Sequence, residues 1–280
     1  MTNLDSLSPP KPEAKKVRAH RLVPRDLVLL RMLGEHGCLD PERIKAKLWN
    51  GNPTSKAHYR RLGILKRMGL LENVLGDQGF GIGYRVTQKG LKVLTDSGNV
   101  PRHIPINRGY RTQLEHDQIM FEIRDILESS PIVKEYRTEG DVHHELLGGK
   151  KGPIDWQNAP TIPDGTFVYE VPGQRLRIAI EIEITFKTRA RYFKILRNHL
   201  LNKTWDMTFY IMRDQAMLHR LLALIEEVQA KDAAVRVARK INGIYLCSLD
   251  EIKTQKLKAQ FTNGKRTISL DELAQQAARA

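Results

Sequence analysis

Apolar residues recur at helical spacing over 24–34 (PRDLVLLRMLG), a run that closes on glycine. A short turn containing Gly37 and Cys38 follows. Asp40-Pro41-Glu42-Arg43 then supplies an N-cap, a proline at the first helical position and a charged first turn, opening the helix IKAKLW. Asn50-Gly51-Asn52-Pro53 ends that helix, and Thr54 or Ser55 caps a third, KAHYRRLGILKRMGLL. Next come two strand-like runs around a Gly-rich turn (ENVLGDQGFGIGYRVT), and TQKGLKVL begins a fourth helix. Three short helices with tight turns, then a two-stranded wing, predict a winged helix-turn-helix over 21–97. Residues 1–20, rich in Pro, Lys and Ser, read as a disordered basic arm.

Residues 98–113 carry Pro and Gly without period and read as a linker. A second domain is expected over 114–280. It opens with the helix QLEHDQIMFEIRDILES, the strand PIVKEYRTEGDV and a Gly/Lys-rich loop. Two facing strands follow, TIPDGTFVYEV and QRLRIAIEIEITF. Helix and strand then alternate through ARYFKILRNHLLN, DMTFYIM, MLHRLLALIEEVQAK and GIYLCSL, and a hairpin turns at Asn263-Gly264. The expected class is therefore α+β in two domains, a winged helix joined to an α/β domain.

Charge changes the picture. Lys and Arg number 46 against 32 Asp and Glu, a formal net charge of +14. Residues 1–100 hold 18 of the cations and 9 of the anions, so the excess concentrates on the winged-helix region. Such a surface attracts phosphate polyanions through counterion release, and double-stranded DNA is the expected partner. In the third helix Ser55, Lys56, His58, Tyr59 and Arg60 fall near the N-terminal end, with Arg61 and Arg67 further along. Leu62, Ile64, Leu65, Met68 and Leu70 supply the opposite, apolar side. Lys15, Lys16, Arg18 and Arg21 could trail along the duplex or simply solubilise the arm. Gly79, Gly81 and Gly83 lack a strand-to-helix context and read as a wing turn rather than a phosphate cradle.

No apolar run approaches 18 residues, no amphipathic basic helix is long enough for a membrane surface, and the start lacks a signal-peptide core. A cytoplasmic protein without a membrane partner is expected. Cys38 and Cys247 show no metal-ligand spacing and read as buried reduced thiols.

The candidate chemistry lies between Asp164 and Lys187. Pro172-Gly173 suits a type II turn, and a two-residue loop there makes paired residue numbers sum to 345. Val171 then faces Gln174, and Asp164 faces Glu181. Ile178, Ile180, Ile182 and Ile184 form one apolar face, while Arg177, Ala179, Glu181, Glu183 and Thr185 point the other way. Asp164, Glu181 and Glu183 thus share a face. Like charges there are relieved by a divalent cation, Mg²⁺ or Mn²⁺, or by neighbouring Arg177, Lys187 or Arg189. His116-Asp117 reads as a helix-packing or capping pair, because no further His ligands stand at phosphohydrolase spacing.

The order helix, three strands with Pro-Asp then Glu-x-Glu, helix, strand is similar to the PD-(D/E)XK nuclease superfamily. That resemblance implies Asp164, Glu181 and Glu183 as catalytic and metal-binding residues. The superfamily's usual lysine is replaced by Glu183, as in a minority of restriction-type enzymes, and Lys187 could supply a displaced lysine. Over roughly 24–200 the chain also resembles the replication-relaxation family of bacterial plasmids and mobile elements. The carriers are YRVTQKG, the LEHD of 114–117, the Pro-Asp strand and the acidic strand running into ITFKTRARYFKIL. The resemblance implies an accessory role at an origin or transfer region, with a relaxase or replication initiator, and a homodimer, among its partners. Two functions stay open: Mg²⁺-dependent nicking or cutting of DNA, and non-enzymatic DNA binding by an accessory factor. An RNA-binding protein is a third.

Overall fold

The first helix, α1 (Pro24–His36), is followed by a two-residue strand, β1 (Cys38–Leu39), where only a turn was expected. Gly37 makes the sharp connection with a φ of +82°, a conformation that favours glycine. In α2 (Pro41–Leu48) the Asp40 side chain caps the helix by accepting from the Arg43 backbone N–H at 2.8 Å, as its sequence suggests. Then come α3 (Ala57–Arg67), β2 (Leu71–Leu75), β3 (Ile82–Val86) and α4 (Gln88–Asp96), which Thr87 caps through the Gly90 N–H. Strands β1, β3 and β2 form an antiparallel sheet in that order. Leu29, Leu30, Leu33, Ile44, Leu62, Leu65 and Leu94 fill the core beneath it.

The computed structural model describes residues 21–49, 56–75, 82–98, 113–147, 161–171, 173–201, 204–238 and 243–279. The expected basic arm, Ser55, the wing turn, nearly all of the linker and Pro172 lie outside these residues.

The rest of the chain builds on α5 (Gln113–Glu128), β4 (Val133–Thr138), α6 (Glu139–Leu147), β5 (Gly165–Val171) and β6 (Gln174–Glu183). After these come α7 (Arg189–Leu201), β7 (Met207–Met212), α8 (Gln215–Lys231), α9 (Ala233–Ala238), β8 (Gly243–Ser248) and α10 (Leu249–Gln255). Two short strands, β9 (Phe261–Thr262) and β10 (Thr267–Ile268), and α11 (Leu270–Arg279) complete it. The sheet order is β10-β9-β8-β7-β6-β5-β4. Strands β4, β5 and β6 run antiparallel, and β6, β7 and β8 are parallel. The protein is thus mixed α+β with a seven-stranded mixed sheet.

Residues 139–147 are helical, although the strand pattern in the sequence runs on through Val142. Thr138 and Asp141 explain the break: the Asp141 N–H donates to Thr138 Oγ1 at 3.3 Å, and the Thr138 N–H donates to Asp141 Oδ2 at 3.1 Å. This reciprocal cap starts a helix where the apolar pattern alone continues a strand. Helices α9, α10 and α11 were also unanticipated.

Helix α5 serves two cores. Phe121 packs with Leu29, Leu33 and Leu65, whereas Ile119, Ile123 and Leu127 pack with Phe167, Ile178, Ile180, Ile182 and Phe209. Its contact with the small sheet is close. A Cβ on Gly37 would sit 2.5 Å from Asp117 Oδ2, and one on Gly83 would sit 2.8 Å from Leu114. Charges tie the same joint: Arg43 pairs with Glu122, Lys47 with Asp125, and Arg124 with Glu35. Cys38 and Cys247 are buried and unbridged, as expected, and burial pushes both thiols up to about 12. Among the described residues no helix is long and apolar enough to cross a membrane.

Candidate functional site

Helix α3 exposes Lys56, Tyr59, Arg60, Lys66 and Arg67. Among the described residues none of its four exposed cations, Lys56, Arg60, Lys66 and Arg67, has a carboxylate partner. The contrast with Arg43, Lys47 and Arg124, all engaged at the α5 joint, is direct. Tyr59 reaches across to α2, its hydroxyl donating to Glu42 Oε1 at 3.0 Å.

Two residues assigned to DNA contact are placed elsewhere. His58 is 1% exposed, because helical spacing puts it on the same side as Leu62 and Leu65. Its ring lies 4.1 Å from that of Tyr59 and 6.3 Å from that of Trp49. Arg61 grips Asp26, itself 1% exposed, in a bidentate pair and also donates to the Arg21 carbonyl at 3.0 Å. A buried carboxylate in the first turn of α1 requires such a partner, so Arg61 holds α3 to α1.

The hairpin of β5 and β6 has the expected register. Val171 pairs with Gln174, and the pairing continues to Gly165 opposite Ile180. Gly173 takes a φ of +78°, as a glycine at the second central position of a type II turn does. Asp164 lies one residue before β5, and its Oδ2 accepts from the Ile182 backbone N–H at 2.7 Å. This bond anchors Asp164 between Glu181 and Glu183. Every residue of β6 from Ile178 to Glu183 is buried. Its isoleucines face α5, while the glutamates face a second cluster containing Tyr192, Leu196, Tyr210 and Leu221.

Repulsion among the carboxylates is relieved by the protein itself. His116 Nε2 lies 3.2 Å from Asp164 Oδ2, His199 Nε2 lies 2.9 Å from Glu181 Oε1, and Lys187 pairs with Glu183. Of the three neutralising cations expected, only Lys187 takes the role. Arg189 pairs with Glu227, and Arg177 sits nearer the turn, four residues from Glu181.

The electrostatics follow from burial and these partners. Burial pushes Glu181 up to about 7, with Asp164 and Glu183 adding to the rise and His199 opposing it. Glu183 is raised by burial, against the pull of Lys187. Burial would raise Asp164 too, but His116 and the Ile182 N–H outweigh it and hold the carboxyl below its ordinary range. Burial acts to lower His116, yet Asp164 and Asp117 keep it well above the usual imidazole value. Tyr192 and Tyr210, buried beside the acids, have their phenols raised by desolvation first and by the glutamates second.

This arrangement does not fit a divalent ion as it stands. Asp164 Oδ2 is already shared between a backbone N–H and an imidazole, and among the described residues no three His, Cys, Asp or Glu side chains converge as ligands. A cation there must first displace His116 or Lys187. The sequence reading missed His116, assigned to packing, and also His199, Tyr192 and Tyr210. The spacing of Tyr192, Leu196 and His199, four and then three residues apart, was the available signal that one face of α7 carries polar groups inward. No family model matches the chain, and neither a curated protein nor a solved structure matches it.

Proposed function

We propose that the protein binds double-stranded DNA through α3, as a non-enzymatic accessory factor of a plasmid or other mobile element. On this reading α1–α4 form a winged helix-turn-helix, and the seven-stranded body is a nuclease-like scaffold whose acids are held by His116, His199 and Lys187. One observation carries it: four exposed cations, Lys56, Arg60, Lys66 and Arg67, gather on α3 without a carboxylate partner among the described residues. Duplex affinity should fall linearly with log salt as phosphate-bound counterions return. Replacing both Arg60 and Arg67 with alanine should weaken binding about tenfold and reduce the salt slope by roughly two. A guanine read by Arg60 adds about 1–3 kcal/mol of discrimination at that base. Unchanged anisotropy titrations in the double variant would place the DNA surface elsewhere.

A second reading, cleavage of DNA by the body with Mg²⁺ or Mn²⁺, draws on one feature. Asp164 immediately precedes β5 and the glutamates end β6, in the order helix, strand, helix, two further antiparallel strands, helix, parallel strand. Supercoiled plasmid incubated with either ion decides it. Nicking that disappears in Asp164→Asn would favour cleavage, and intact plasmid under both ions would leave the accessory role.

A further inference from the structure

The sheet face that carries Glu181 turns basic toward the Gly173 turn. Arg137 pairs with Thr166, which pairs with Ala179; Lys134 pairs with Val168, which pairs with Arg177; Glu170 pairs with Arg175. Directly opposed residues point to one face, so these cations lie on the same side as Glu181. A bulge makes this possible. Between Lys134 and Arg137 the edge strand advances three residues while β5 advances two, which turns both cations to that face. Glu135, inside the bulge, takes a φ of +49°, a strained conformation for a non-glycine residue.

Behind the bulge is a pocket. Arg137, Arg175 and Arg177 line it together with Thr166, Thr204 and Trp205. The Trp205 indole N–H is buried and has no acceptor among the described residues. Arg177 has no carboxylate partner among them either. Arg137 pairs with Glu145 and Arg175 with Glu135 at 2.6 Å, but all four side chains are at least 36% exposed. Exposed pairs of this kind are weak and exchange readily. The pocket therefore gathers donors in excess of acceptors, with guanidinium forks suited to a tetrahedral oxyanion.

We propose that this pocket binds a phosphate group. Arg137, Arg175 and Arg177 would hold the oxygens, with the Trp205 N–H as a further donor, while Glu135 and Glu145 act as the carboxylates that phosphate displaces. Arg177 stands four residues from Glu181 along β6, roughly 13 Å at strand rise. A phosphate of a DNA backbone is one source of that group. A free phosphate or phosphomonoester presents the same oxyanion.

The test uses the full chain with inorganic phosphate, against chloride at matched ionic strength, followed by melting temperature. Phosphate should raise the midpoint of the wild type by mass action. Arg137→Gln with Arg177→Gln should abolish that rise, and Glu145→Gln, which removes a competing carboxylate, should tighten phosphate binding about threefold. Arg60→Ala should leave the phosphate response intact, so failure of the α3 reading does not touch the pocket. Duplex titrations then identify the source. A salt slope reduced by about one or two in the double glutamine variant assigns the site to the DNA backbone. An unchanged slope with a lost phosphate response assigns it to a free phosphate. A phosphate response equal in wild type and double variant, or no response in wild type and Glu145→Gln alike, overturns the proposal.

Discussion

Replacing Glu181 with glutamine should raise the melting temperature at pH 8 by about 6–12 °C and leave it nearly unchanged at pH 5. In the fold the Glu181 carboxyl is held up to about 7, against an ordinary value of 4.5, chiefly by burial. A raised carboxyl binds its proton more tightly when folded than when unfolded. Its stabilising contribution is therefore complete below pH 4.5 and is lost as pH rises through 7. The difference corresponds to about 3 kcal/mol at pH 8, with His199 sharing part of it. Glutamine keeps an oxygen for the His199 N–H, carries no charge at any pH, and so removes the alkaline penalty. A midpoint shift of 2–4 °C per kcal/mol for a chain of this size gives the stated range. His116 is also held above its ordinary value, so its contribution too is lost on the alkaline side, at a pH above 6.5. Any loss with rising pH that persists in Glu181→Gln should then be shared by His116 and by Glu183, which burial also raises. Equal gains at pH 5 and pH 8, or a variant less stable at pH 8, would show that Glu181 is ionised without penalty.

Local chemistry made some of this legible in advance. Asp40-Pro41 announces its own helix start, since cap and proline act within four residues. The Pro172-Gly173 pair set the hairpin register, and alternation put Glu181 and Glu183 on one face. What alternation could not supply was the identity of the groups opposite. Asp164 takes His116, 48 residues away on α5, and Glu181 takes His199, 18 residues on and a full helix later. Those partners depend on how α5 and α7 cross the sheet, which no spacing within either helix records. The expected cation site followed from seeing three acids and none of the bases. Arg61 was misread for the same reason. Its charge suits DNA, and only the burial of Asp26, 35 residues earlier, reveals its role.

That role gives the second large effect. Arg61→Ala should destabilise the α1–α4 region by about 3 kcal/mol, whereas Arg60→Ala should stay within about 0.5 kcal/mol of wild type. Asp26 Oδ1 accepts from Arg61 Nε at 2.8 Å, and Oδ2 accepts from the Val23 N–H at 2.7 Å as well as from Arg61. Deleting the guanidinium leaves a carboxylate at 1% exposure with a single donor. Stranding one member of a buried pair costs about 3–5 kcal/mol, and the low end applies because Arg61 itself is 20% exposed and water can follow it. Removing both charges, as in Asp26→Asn with Arg61→Met, should recover at least about 1 kcal/mol, since no ion is then left unpaired. Urea denaturation of the three variants gives these differences, and DNA binding gives the converse. Well below its midpoint, folded Arg61→Ala should bind duplex within about threefold of wild type, a surface-scale change below about 0.7 kcal/mol. Arg60→Ala should bind several-fold more weakly while fully folded. An Arg61→Ala protein as stable as wild type but deficient in DNA binding would return Arg61 to the interface and leave Asp26 without need of it.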